Sequence, residues 1–216
     1  MNNIVLEQTS RTTVNRLPKR ALYDREAIYA ILDEALICHV GFVVEGQPYV
    51  IPTIHTRIDD ALYFHGSAAS RMLRTLREGI DACVTVTLLD GLVLARSAFH
   101  HSMNYRSVVV LGKATAVTDD DEKRRVLEAL VEHVCRGRAA DVRKPNESEL
   151  KQTLALRLPI EEASAKVRTG PPIDDEEDYS LPVWAGVLPM ALTPDAPVTD
   201  ERSFAAMPGY VAKYRR

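Results

Sequence analysis

The sequence of 216 residues is poor in cysteine: Cys38, Cys83 and Cys135 are the only three, and no two form a CxxC pair. An odd number of widely spaced cysteines builds neither a disulfide framework nor a zinc ribbon, so we read them as free thiols of a reducing compartment. Long apolar runs are missing too. The opening residues, MNNIVLEQTSRTTVNR, carry no hydrophobic stretch between a basic start and a small-residue cleavage site, and no later segment approaches the roughly 20 apolar residues of a membrane helix. The expectation is a cytoplasmic protein without a membrane partner. Nor does one sign of charge dominate, because 27 basic and 30 acidic residues are mixed along the chain for a net charge of -3. No broad basic face is available to neutralise a phosphate backbone, which argues against nucleic acid as a partner.

Several signatures of chemistry are absent as well. The chain has no GxSxG nucleophile elbow, no GxxxxGK[ST] phosphate loop and no GxGxxG dinucleotide fingerprint, so hydrolase, nucleotidase and Rossmann dehydrogenase readings lose their main support. His65, His100 and His101 are not accompanied by HExxH or HxH spacing, and a zinc site needs three or four convergent ligands. The acidic run from Asp174 to Asp178 is local, the pattern of a solvated loop rather than of a cage with ligands from several directions. No metal site is expected. Cys83, in the strand pattern ACVTVTLL, reads as a small apolar core residue.

What remains is a chain with 46% hydrophobic residues, enough for one full core and hence one domain. Residues 1–20, polar and with Pro18 in a basic cluster from Arg16 to Arg20, read as a flexible N-terminal arm that gains order by docking. Residues 21–189 form the domain. Residues 190–216, broken by Pro194, Pro197 and Pro208, read as a tail packing on the domain or on a partner subunit.

Within the domain, Asp24 can cap a helix whose apolar face is Ile28, Ile31, Leu32 and Ala35. Strand runs 37–44 and 47–56 flank Glu45-Gly46, a hairpin signal; Asp59-Asp60 marks a further turn before strand 61–65; and 67–78 reads as a helix with Ser67 at its start and Gly79 past its end. Runs 82–89 and 92–95 flank Asp90-Gly91, which reads as another hairpin turn, and 106–117 is a further strand. Residues 119–134 return to helical periodicity, with Val126, Leu127, Leu130, Val131 and Val134 on one face. Asn146 to Glu149 has capping-box spacing, and 153–160, 163–167 and 183–187 are the last strand candidates. Hairpin turns dominate these connections, so the expected fold is mainly β: an antiparallel barrel with peripheral helices.

The corner from Phe64 to Met72, FHGSAASRM, joins a strand to a helix start, where backbone N–H groups and the helix dipole favour an anion. Ser67 and Ser70 can donate hydroxyl hydrogen bonds and Arg71 can fork two N–H groups onto a phosphate. The same residues also describe a serine-capped helix with a solvated arginine.

Several segments in chain order resemble one family. QPYVIPT at 47–53, LYFHGSAASRML at 62–73, CVTVTLLDGLVLARSAFHHSMNYRSVVVLGKA at 83–114 and PVWAGVLP at 182–189 are similar to the pyridoxamine 5'-phosphate oxidase-like split-barrel proteins that bind flavin nucleotides, nearest the nitroimidazole-resistance branch. The resemblance implies a six-stranded antiparallel split β-barrel that dimerises, with a flavin mononucleotide (FMN) in each of two clefts between the subunits. It implies that Val50, Ile51, Pro52 and Thr53 line the isoalloxazine, and that Phe64, His65, Gly66, Ser67, Ser70, Arg71 and Met72 form the phosphate and ribityl corner. Met72 stands where the oxidase carries a lysine, so a second phosphate cation comes from elsewhere or is absent. Arg106 and Ser107 fall on the strand that approaches the flavin; Arg106 is equally suited to an ion pair at the barrel rim. Trp184 matches a late tryptophan near the cofactor or fills the core, and Lys166 suits a cofactor or dimer contact. The oxidase's substrate-phosphate constellation has no counterpart. The implied activity is that of an FMN-dependent oxidoreductase of unknown substrate, with His65 and His101 as candidate proton donors. A flavin carrier or sensor, or a haem-binding split barrel with a histidine ligand, are the alternatives.

Overall fold

The computed structural model describes residues 5–215. After a two-residue strand β1 (Ala21–Leu22), helix α1 (Arg25–Glu34) starts where the Asp24 carboxylate accepts from the Ala27 amide at 2.9 Å, and it buries Ile28, Ile31 and Leu32 as the periodicity predicts. Strands β2 (Ile37–Val44) and β3 (Gln47–Ile54) pair antiparallel through Glu45-Gly46. Both turn residues have positive φ, 50° and 79°, the requirement of a type I′ hairpin. Strands β4 (Thr56–Ile58) and β5 (Ala61–Ser67) follow, then α2 (Arg71–Leu76), β6 (Asp81–Leu94), β7 (Ser102–Lys113) and β8 (Thr115–Ala116). Helices α3 (Asp120–Val134), α4 (Arg138–Asp141) and α5 (Glu147–Gln152) lead to β9 (Thr153–Pro159) and β10 (Glu162–Arg168); β11 (Gly186–Pro189) and α6 (Gly209–Ala212) close the described chain. The capping box of α5 is complete, with Asn146 and Glu149 each accepting from the other's amide.

Two antiparallel sheets result. One has the order β1-β10-β7-β6-β2-β3 with β11 added on β6, and the other β4-β5-β9-β8. The runs β3/β4 and β7/β8 cross from one sheet to the other at His55 and Ala114, both fully buried. Their shared core holds Phe64, Val84, Val86, Val108, Val110, Leu156 and Leu158. This is the split-barrel arrangement, not closed into a continuous barrel. The strands outnumber the expected six because two runs are divided at the crossing points and short strands are added.

Three local expectations are corrected. Asp90-Gly91 is no turn: β6 runs through it with a register shift between Leu89 and Gly91 in its pairing with β7, as at a β-bulge. The glycine is needed because β11 lies against it, so that a Cβ there would sit 3.0 Å from Val187 Cγ1 and 3.1 Å from the Leu188 carbonyl oxygen. Helix α2 starts at Arg71 rather than near Ser67, which is the last residue of β5. Cys83 is half-buried on the outer side of its sheet, next to Gly41 and 3.9 Å from Thr85 Oγ1; the cysteine inside the core is Cys38. Desolvation pushes the Cys38 thiol up to about 12.

The two ends of the chain pack differently. Val5 bridges to Asp24, Leu6 is buried in the main core, and Thr9 and Arg11 reach Glu162 at the start of β10. Residues 190–207 are exposed, after which Tyr210 and Tyr214 attach to the end of α3 and to α4.

Candidate functional site

The corner between β5 and α2 is built by close packing. Gly66 lets α2 close onto β5, since an added Cβ would lie 3.2 Å from Leu73 Cδ1. Phe64 is wholly buried and Met72 is buried as well, so their side chains frame the corner from below and offer no surface to a ligand. Met72 packs into the main core. Above this floor, Ser67 Oγ accepts from the Ala69 amide at 3.2 Å, while Ser70 caps α2 without a side-chain hydrogen bond to the helix. The Ser70 hydroxyl is therefore not committed to the helix. Arg71 is exposed and lies over the Tyr49 ring of β3, 5.3 Å from its centroid. Arg74, one turn further along α2, presents a second exposed guanidinium on the same side. Among the described residues neither arginine has an ion pair. Sequence reasoning missed Arg74, although its three-residue spacing from Arg71 was the signal.

β3 is the edge strand of its sheet, and Pro48 and Pro52 stand in it, a position where proline costs no ladder bond. Alternate backbone groups of Val50, Ile51, Pro52 and Thr53 consequently lack a strand partner on one side. Val50 is 67% exposed.

The remaining candidates lie elsewhere. Arg106 is held by Glu34 and Asp90, whose hydrogen bonds raise its already high pKa. Ser107 donates from Oγ to the Lys166 carbonyl at 3.3 Å, and Lys166 Nζ donates to the Arg16 carbonyl at 3.2 Å. These residues sit on β7 and β10. In the sheet order β7 and β10 are three and four strand spacings from β3, about 14 and 19 Å along the sheet at ~4.8 Å per spacing. Trp184 is 69% exposed and covers Gly186, where an added Cβ would be 2.8 Å from its ring. His101 is exposed, donating from Nδ1 to the Ser97 carbonyl at 3.0 Å. The acidic run is more than a solvated loop: Asp174 is buried, accepting from the Arg96 and Ser97 amides. Asp175 and Asp178 bring carboxylate oxygens within 4.8 Å of each other and of the His100 ring.

His65 belongs to a second place. It lines a cavity of about 640 Å³ between β5 and helices α3 to α5, within the roughly 300–1,000 Å³ typical of ligand sites. Its Nδ1 is buried with no hydrogen-bond partner, and burial lowers the imidazole's pKa from the ordinary 6.5, which keeps the ring neutral near pH 7. Ile54, Leu127, Val131, Val134 and Val142 make the walls apolar, whereas Arg124, Arg138, Arg143 and Lys144 supply four cations to the lining. Val126 and Leu130 face the smaller of the two cores. The apolar stripe of α3 thus serves two surfaces, core on one side and cavity on the other.

Sheet order and crossing strands together define a split-barrel protein. The profile of the family described as pyridoxamine 5'-phosphate oxidase matches residues 24–167, and the chain belongs to that family. Among solved structures, the flavocytochrome Anf3 from Azotobacter vinelandii is 42% identical with a TM-score of 0.90, the alignment covering 96% of this chain and 97% of that one. An FAD and haem binding protein from Mycobacterium smegmatis is 38% identical with a TM-score of 0.85, over 89% of this chain and 95% of that one. A 5-nitroimidazole antibiotic resistance protein from Bacteroides thetaiotaomicron, described as putative in its name, is 26% identical with a TM-score of 0.58, over 68% of this chain and 86% of that one. A search of curated proteins found no match.

Proposed function

We propose that this chain is a redox protein with two cofactors: a flavin gripped at the α2 corner, and a haem in the cavity lined by His65. The observation that carries the reading is the His65 imidazole, neutral, with its buried Nδ1 unpartnered, on the wall of an apolar cavity furnished with cations. That donor set fits a haem: one nitrogen for the iron, apolar walls for the ring and guanidinium groups for its carboxylates. The names of two similar structures, a flavocytochrome and an FAD and haem binding protein, support the same pairing.

For the flavin, Ser70 and Arg71 are the residues that hold the first phosphate, and Arg74 replaces the cation that Met72 does not provide. Two unpaired arginines suit the diphosphate of FAD better than the single phosphate of FMN, although FMN would use the same Ser70 and Arg71. Val50 to Thr53 offer backbone groups to the ring system. A homodimer completes this site. Ile37, Val43 and Val50 expose an apolar outer face on β2 and β3, and Arg106, Ser107 and Lys166 of a second copy would form the opposite wall. Bound flavin supplies hydride chemistry and bound iron supplies single-electron steps. The chain's own residues orient both groups, and the apolar walls exclude water. The free thiols favour a cytoplasmic setting, and we place the activity among oxidoreductases acting on a small molecule.

The test is the visible spectrum of the purified protein with extraction of its cofactors. Wild type is expected to show a Soret band and a flavin band, and the acid-released flavin to migrate as FAD. His65→Ala should lose the Soret band and keep the flavin. A flavin band alone in wild type supplied with haem would overturn the haem assignment. Electron transfer to added acceptors no faster than with free flavin would leave a binding protein rather than an enzyme.

A further inference from the structure

The four cations of the cavity are not equivalent. Arg124 is paired with Glu147, Arg143 with Glu149 at 2.7 Å and Lys144 with Glu128 at 2.6 Å. Arg138 has no ion pair among the described residues. Its Nη1 donates instead to the Tyr210 hydroxyl at 3.3 Å, and Tyr210 donates its own hydrogen to Asp141 Oδ2 at 2.5 Å. Tyr210 comes from α6, at the far end of the C-terminal tail. Its ring lies across Gly137, which has a φ of +91° and where an added Cβ would be 3.3 Å from Tyr210 Cδ1. The Tyr214 hydroxyl fastens the tail a second time, donating to the Val134 carbonyl at 3.0 Å. The tail therefore braces the α3–α4 corner from outside, and that corner contributes Val134, Cys135, Arg138 and Ala139 to the cavity.

We propose that Arg138 is the cavity's receptor for a ligand carboxylate and that Tyr210 is its positioning residue; this rests on the haem reading, the carboxylate being a propionate of the tetrapyrrole. A phenol orients a guanidinium without neutralising it. A carboxylate arriving at Arg124, Arg143 or Lys144 must displace an existing carboxylate, an exchange of one ion pair for another with little net gain. At Arg138, which Asp141 influences through space and through Tyr210 without a direct ion pair, it has no paired carboxylate to displace and gains a charge-assisted hydrogen bond.

The experiment uses tag-free full-length protein freed of haem and titrated with haemin and with haemin dimethyl ester, following the Soret band. The readout is the ratio of the two affinities, which reports the carboxylate contact and is insensitive to general loosening of the cavity. Wild type is expected to prefer the free acid by about tenfold or more, the size of one charge-assisted contact. Arg138→Ala should abolish the preference, Arg138→Lys should restore part of it, and Arg143→Ala should keep it. Tyr210→Phe, which retains the ring over Gly137, should reduce the ratio while leaving flavin affinity unchanged. Haemin binding by wild type with no preference for the acid, or a preference that survives Arg138→Ala, overturns the inference and leaves the haem reading standing. No binding of either form by wild type overturns both.

Discussion

Replacing Arg71 by alanine isolates the phosphate grip from the fold that carries it. In the protein alone the guanidinium is exposed and has no ion pair among the described residues, its one recorded partner being the Tyr49 ring at 5.3 Å. Losing that contact costs at most ~0.5–1 kcal/mol at an exposed site, and alanine at the first position of α2 is a good helix former. The fold should hardly notice the change. A flavin phosphate, by contrast, loses a charge-assisted hydrogen bond of about 1.5–3 kcal/mol, equivalent to a dissociation constant raised roughly 13- to 160-fold. The assay is quenching of flavin fluorescence as apoprotein is titrated in, with a thermal melt of each variant as the control on folding. Arg71→Lys keeps a point charge and loses the fork, so it should fall between wild type and alanine. Added salt should narrow the difference, because the site is open to solvent. A dissociation constant within twofold of wild type for Arg71→Ala would refute the assignment of this corner to phosphate, whatever the melting temperature does.

Gly91→Ala should destabilise the protein by about 1–3 kcal/mol, because the added Cβ meets the Leu188 carbonyl oxygen at 3.1 Å and a backbone atom cannot rotate away. Urea unfolding measures the loss, and faster amide exchange confined to residues 186–189 would locate it; unchanged exchange there would show that β11 does not depend on the close approach. The apoprotein should also lose stability as the pH falls below 6.5, since burial holds the His65 pKa below that value and the unfolded chain takes up the proton first. In His65→Gln that contribution is absent, so its stability should fall less between pH 7 and pH 5. Parallel stability curves for the two proteins would show that His65 is not held neutral by its surroundings.

The parts of the fold legible in the sequence are those set by local chemistry. Asp24, Gly46 and the Asn146–Glu149 box each act through groups within three residues, so their signals survive without tertiary context. The Asp90-Gly91 pair has the same local chemistry as a turn, but the glycine answers to a strand about a hundred residues away that needs to lie close, and only the assembled sheet reveals that need. Arg106 is similar: its partners Glu34 and Asp90 are remote in the chain, and no spacing rule connects them.

The cavity was half visible in the same sense. On α3 the apolar residues Val126, Leu127, Leu130, Val131 and Val134 form adjacent pairs one turn apart, an arc wider than a helix needs to cover one small core. Reading all five as one helix face accounts for the periodicity but does not say what the face packs against. The structure spreads the arc over two surfaces: Val126 points into the core, Val131 and Val134 face the cavity that His65 lines from β5, and Leu127 and Leu130 between them touch both. His65, taken in the sequence as one member of the phosphate corner, follows the strand's alternation away from its buried neighbour Phe64. A single strand thereby serves two places, its last residues framing the corner at α2 and its histidine turned to the helices. Its pleat separates the imidazole from the phosphate-gripping residues, so substitution at His65 and at Arg71 should affect different cofactors, and a variant that lost both at once would count against two sites.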